Sequence, residues 1–178
     1  MSSRKITIAF LLALSTPLFA FADDARQPDL PGSEDKEIRA VVERVKVAIL
    51  AGNAQALQRE ISQNEGLECT DTAYGYAQIK AYLKDRNSVF YKSLFDTSKF
   101  RAECGAEYST SYPAISEKEF YAKASNGVLV ESLGENWAKV IIRSPVQSHY
   151  ERELYLHKEG KVWKVAGGSF VIGACSCG

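Results

Sequence analysis

Several things are scarce in this chain, and each absence narrows what it can do. There is no run of basic residues, and 22 Lys and Arg balance 22 Asp and Glu. A chain without a positive stripe is a poor match for nucleic acid, whose binding rests on neutralised phosphates. Gly167-Gly168 lacks the Lys-Ser/Thr flank of a phosphate-binding loop, and no G-x-S-x-G elbow or H-E-x-x-H helix occurs. Histidine is limited to His149 and His157. No nucleotide, metal or other cofactor is therefore expected. Beyond the first 22 residues no long apolar stretch occurs, so no membrane span is expected after them.

The N-terminus is rich in signal. Arg4 and Lys5 precede an apolar run from Ile6 to Leu14, and Ala20-Phe21-Ala22 stands before Asp23-Asp24. A charged start, a short apolar core and an A-x-A site form the layout of a secretory signal peptide. The competing reading is an uncleaved anchor. The apolar span is shorter than the ~20 residues a bilayer needs, and Pro17 interrupts it. The expected division is a signal peptide over 1–22, a flexible Pro- and Gly-containing leader over 23–34 and a single domain over 35–178. The expected location is the periplasm or the exterior.

Export changes the meaning of the four cysteines, Cys69, Cys104, Cys175 and Cys177. An even count in an oxidising compartment favours disulfides. A Cys175–Cys177 bond would close a very tight ring, so both tail cysteines are expected to reach back to Cys69 and Cys104. A redox-active Cys-x-Cys and a metal site using a histidine are the competing readings. The Cys-x-Cys spacing is narrower than zinc sites usually adopt.

Helical periodicity dominates the first part of the domain. Ile38, Val41, Val42, Val45 and Ile49 form one stripe closed by Gly52, in a helix that should start near Ser33 to Asp35. Asn53 should cap a second helix carrying Ala54, Leu57 and Ile61 and ending by Gly66. Cys69 falls in a polar stretch. Further helical segments are expected from about Tyr76 to Arg86, through the aromatic-rich Val89 to Phe95, and from Asp96-Thr97 to Cys104. Ser116 to Glu119 reads as a capping box ahead of Phe120 and Tyr121.

The period then changes to two. Val128 to Leu133, Trp137 to Arg143, Val146 to His157 and Val162 to Ile172 read as strands, with a bulge expected at Gly167-Gly168. The expected fold is α+β: N-terminal helices followed by a C-terminal four-stranded antiparallel curved sheet, stapled by disulfides.

The helical Ala51-Gly52-Asn53-Ala54 with Leu57, and the closing hairpin Gly160-Lys161-Val162-Trp163-Lys164-Val165, resemble the NTF2-like superfamily. The resemblance implies a cone-shaped fold in which a curved sheet wraps a helix and leaves a pocket. It also implies sheets that often pair, which leaves room for a homodimer without fixing the oligomeric state. The superfamily contains enzymes, ligand binders and proteins without catalysis, so it implies no one activity, and none of its catalytic motifs maps onto these residues.

Candidate chemistry is sparse. His149 is the best general-base candidate, with Asp71, Asp85 or Asp96 available to orient it, against the plainer reading of an edge-strand histidine. His157, beside the charged turn at Lys158 and Glu159, is expected to be exposed. Tyr108 and Tyr112, in a loop, are the expected binding contacts. Glu151-Arg152-Glu153 reads as a recognition edge or as cross-strand charge pairing. The leading expectation is a non-enzymatic exported domain binding a protein or small ligand, of inhibitor, immunity or envelope-accessory type. The alternatives are a small-pocket isomerase or hydrolase using His149 with a carboxylate, and a thiol-redox protein using Cys175 and Cys177.

Overall fold

The apolar stripe of the first helix becomes the spine of the core. In the computed structural model, which describes residues 32–69, 72–104, 115–124, 127–143 and 151–169, α1 spans Gly32–Leu50. Ile38, Val41, Val42, Val45 and Ile49 are all buried. Each such side chain contributes roughly 1.5–3 kcal/mol of burial free energy. Glu34 and Asp35 lie in the first turn, where carboxylates favour the helix dipole.

Asn53 caps α2 (Ala54–Glu60) by accepting from the Ala56 N–H at 3.0 Å. The helix stops well short of Gly66. Ile61 instead bridges to Val165, and Ser62 N–H donates to Val165 O at 2.7 Å, so the sheet claims this backbone. β1 (Leu67–Cys69) and β2 (Thr72–Tyr74) form an antiparallel hairpin where the sequence reads only as a polar stretch. Then come α3 (Tyr76–Lys84), α4 (Val89–Phe95) and α5 (Thr97–Cys104). Ser88, whose hydroxyl accepts from Tyr91 N–H at 3.1 Å, caps α4 and separates it from α3. α6 covers Glu117–Lys123. The antiparallel run is β3 (Val128–Gly134), β4 (Trp137–Arg143), β5 (Glu151–Glu159) and β6 (Val162–Gly168).

The α+β class holds, but the sheet is not the expected four-stranded antiparallel one. Six described strands lie in the order β2-β1-β6-β5-β4-β3, and β1 runs parallel to β6, with Glu68 opposite Gly167. The cause is close backbone approach. A Cβ on Gly167 would lie 2.8 Å from Glu68 O, so glycine lets β1 dock on the end of β6. The expected bulge is present: the register to β5 shifts between Tyr155 and Leu156, leaving Ala166 as the extra residue beside Gly167.

Strand alternation puts Val128 and Val130 of β3, Val140 and Ile142 of β4, Leu154 and Leu156 of β5 and Trp163 and Val165 of β6 against the helices in one core. α1 packs against α2, α6, β3 and β6. Arg39 secures its first half, pairing with Asp35 at 2.7 Å and donating to Val128 O at 2.7 Å. Glu34 pairs with Lys158 of β5 at 2.5 Å. Among the described residues no helix is long and apolar enough to cross a membrane.

Candidate functional site

A cavity of about 300 Å³ opens where α1, α6, β3 and β4 meet. Val42, Glu43 and Lys46 line it from α1, Tyr121 and Ala124 from α6 and its C-terminal cap, and Val128 and Ile142 from the sheet. Val128 and Ile142 are direct partners across the β3–β4 ladder, so their side chains stand together on the inward face.

α6 is held in place from both ends of its first turn. The Ser116 hydroxyl accepts from Glu119 N–H at 3.3 Å, the bond expected of the capping box. The Thr97 hydroxyl at the start of α5 donates to Ser116 Oγ at 2.7 Å and accepts from Ser116 N–H at 2.9 Å. This locks α5 to α6 and fixes which α6 residues turn inward.

Two of these, Glu117 and Tyr121, together with Arg152 of β5, carry the polar chemistry of the interior. The Glu117 carboxylate accepts from Arg152 Nε, at 2.9 Å to Oε1 and 3.1 Å to Oε2, with side-chain exposures of only 5% and 13%. The Arg152 guanidinium lies 4.7 Å over the Phe120 ring. Burial pushes the Glu117 carboxyl up from 4.5 to about 7, against the opposing pull of Arg152. One turn further along the same helix face is Tyr121. Its hydroxyl is buried and has no hydrogen-bond partner among the described residues. Burial, and secondarily the Glu117 charge, push its pKa up, so the phenol stays protonated. A buried hydroxyl without a partner carries a desolvation cost of ~1–3 kcal/mol.

The residues singled out from the sequence do not converge here. His149, Asp71, Tyr108, Tyr112, Cys175 and Cys177 lie outside the described residues. Asp85 accepts from Asn87 N–H at 2.9 Å, and Asp96 from Lys99 N–H at 3.0 Å, so each serves a local turn. His157 is not exposed as expected. It stacks on Trp137 with ring centroids 4.6 Å apart, and its side chain is 19% exposed. Its Nδ1 is buried 3.5 Å from Glu65 Oε1 and makes no hydrogen bond. Strand register explains this: Trp137 and His157 are opposite one another on β4 and β5.

The Glu151-Arg152-Glu153 run splits by parity. Glu151 pairs with Arg143 at 2.9 Å and Glu153 with Lys139 at 2.6 Å, both across strands, while Arg152 turns inward to Glu117. Sequence reasoning therefore missed Glu117, Tyr121 and the inward role of Arg152. The available signal was the spacing of Glu117 and Tyr121, four apart in a capped helix, together with the parity of Arg152 beside Leu154 and Leu156. Among the described residues no group of three His, Cys, Asp or Glu side chains could hold a metal.

No protein-family model matches the chain, and no curated protein matches it. Among solved structures it is similar to the crystal structure of a protein of unknown function from the DUF3225 family of Pectobacterium atrosepticum. The identity is 10%, the match covers 78% of this chain and 89% of that one, and the TM-score is 0.43.

Proposed function

We propose that this is an exported, periplasmic α+β domain of NTF2-like type that works without catalysis, by holding a small molecule between α1, α6 and the β3–β4 ladder. The observation that carries the reading is the cavity of about 300 Å³, at the lower end of the range for ligand pockets. Its lining combines aliphatic walls from Val42, Ala124, Val128 and Ile142 with Tyr121, Glu43 and Lys46, the mixture of apolar and polar groups typical of ligand sites. The layout of residues 1–22 supports export. The helix packed on a twisted sheet supports the NTF2-like architecture. The four cysteines are proposed to form two structural disulfides, supported by their even count in a chain with an export-signal layout.

The test is the unfolding midpoint of the protein across a library of single-ring fragments, in the natural chain and in Ala124→Phe, which fills the cavity. A fragment at ten times its Kd adds about 1.4 kcal/mol, roughly 4 °C for a domain of this size. The reading expects such shifts in the natural chain and none in Ala124→Phe. Equal shifts in both, or none in either, contradict it.

A further inference from the structure

On the outer face of the sheet, β5 meets the turn that leads from α2 into β1. Glu159 fastens this turn, residues 62–66, to the strand. Its Oε1 accepts from the Ser62 hydroxyl at 2.5 Å and from Asn64 N–H at 3.1 Å. Within the turn, Glu65 N–H donates to Ser62 Oγ at 2.9 Å and Gly66 N–H to Ser62 O at 3.3 Å. Two residues before Glu159, on the same face of β5, is His157. Its ring stacks on Trp137, and its Nδ1 is buried 3.5 Å from Glu65 Oε1 with no hydrogen bond among the described residues. The cations of this face are engaged elsewhere. Lys164, opposite His157 on β6, sends its ammonium to the Arg59 carbonyl, and Lys139, the diagonal neighbour on β4, pairs with Glu153 at 2.6 Å.

We infer that His157 is a proton-operated clasp: its imidazolium draws in Glu65 and tightens the 62–66 turn on β5, and its neutral form lets the turn loosen. Histidine is the side chain whose ordinary titration falls between about pH 5 and 8. A neutral ring gains little from a carboxylate 3.5 Å away. A proton makes Nδ1 a charged donor facing an anion. Trp137 favours the same state, because an imidazolium stacked on an indole gains cation–π attraction. Glu159 adds a second negative charge close enough to interact with His157, against the more distant pull of Lys164 and Lys139. Burial pushes the Glu159 carboxyl up, but the Ser62 hydroxyl and the Asn64 N–H outweigh it and hold it below the usual carboxylate range. Its fastening therefore persists while His157 titrates, and only the Glu65 arm changes. Ile61 bridges to Val165 just before the turn and β1 starts just after it, so acid secures the edge where β1 lies beside β6.

The experiment compares the full natural chain with Glu65→Gln, a change at a side chain 42% exposed. NMR reads the titration of the His157 ring and the hydrogen exchange of the Asn64, Glu65 and Gly66 amides, corrected for the intrinsic rate at each pH. The core amide of Val140 marks global unfolding, whose own pH dependence Glu117 shapes. Linkage requires the proton to close the turn by the factor by which the closed turn holds the proton. From about pH 7.5 to about pH 5.5, protection of the three turn amides should rise about threefold in the natural chain, the scale of a partly exposed ion pair, and stay level in Glu65→Gln. The His157 midpoint should fall by about half a pH unit in the variant, the same factor. Level protection in the natural chain, a rise that survives Glu65→Gln, an unmoved His157 midpoint, or turn amides that exchange no faster than Val140 overturns the inference. None of these outcomes bears on the ligand site.

Discussion

Tyr121 and Glu117 share one helix face but answer to different forces. The Tyr121 hydroxyl gains nothing from its surroundings in the unliganded fold, so removing it costs nothing. Tyr121→Phe is expected to unfold within about 1 kcal/mol of the natural chain, on the stable side. Urea unfolding checks this, and a loss above about 2 kcal/mol would show that the hydroxyl is bonded in the fold. Glu117 leaves a signature in pH. Its folded carboxyl holds its proton up to about 7, whereas the unfolded one releases it near 4.5. The folded state binds more protons in that window, so this group's contribution to stability is complete below 4.5 and is lost as pH rises to 7. Glu159 and Glu119 run oppositely. Ser62 and Lys123 respectively stabilise their charged forms, so their contributions appear above the usual carboxylate range and fade in acid below it. Stability measured from pH 4.5 to 7 is expected to fall in the natural chain and to flatten in Glu117→Gln. An unchanged slope in that variant contradicts the assignment.

At the scale of elements, the helices were legible from local chemistry and the sheet edge was not. The Ile38-to-Ile49 stripe and the Asn53 cap each encode their structure within one or two turns and stand as read, while of the Ser116–Glu119 box only the Ser116 hydroxyl bond forms, because Thr97 takes the Ser116 N–H. β1 and β2 are three residues each, too short for a period, and they exist because β6 offers a backbone to pair with. Leu67 and Tyr74 alone could not announce that partner. Two variants probe these devices. Ser116→Ala removes the α6 cap and one of its two bonds to Thr97, leaving the backbone one, and should cost about 1–2 kcal/mol in chemical unfolding. It should also weaken ligand binding, since α6 carries Tyr121. Gly168 has φ +123°, and a Cβ there would sit 2.1 Å from Glu153 O. Gly168→Ala should cost about 3 kcal/mol or more, read as a lower thermal midpoint. A neutral effect would mean that β5 and β6 separate more easily than their register implies.

Across the whole molecule, the candidate site is assembled from segments far apart in sequence: Val42 to Lys46, Tyr121 to Ala124, Val128 and Ile142. That is why it was not visible as a motif. Catalytic motifs are local, whereas this cavity is what remains when a helix and a twisted sheet, each satisfying its own apolar face, meet at an angle. The sequence did show its parts separately, as the α1 stripe, the capped α6 and the alternating strands, but no spacing joined them. The residues it raised for chemistry, His149, Tyr108 and Tyr112, were chosen for side-chain type and lie outside the described residues. Arg152 shows the converse case. It sits in a run of charges that reads as surface, yet it shares the parity of Leu154 and Leu156 and turns inward to Glu117.

The most direct test of the proposed ligand site is a native, non-reducing mass spectrum of the protein expressed from its full sequence, taken beside Ala124→Phe. The account predicts a mature chain beginning at Asp23, without free thiols, carrying one small molecule that Ala124→Phe cannot retain. A bare natural chain, or an adduct held equally by the filled variant, would contradict it.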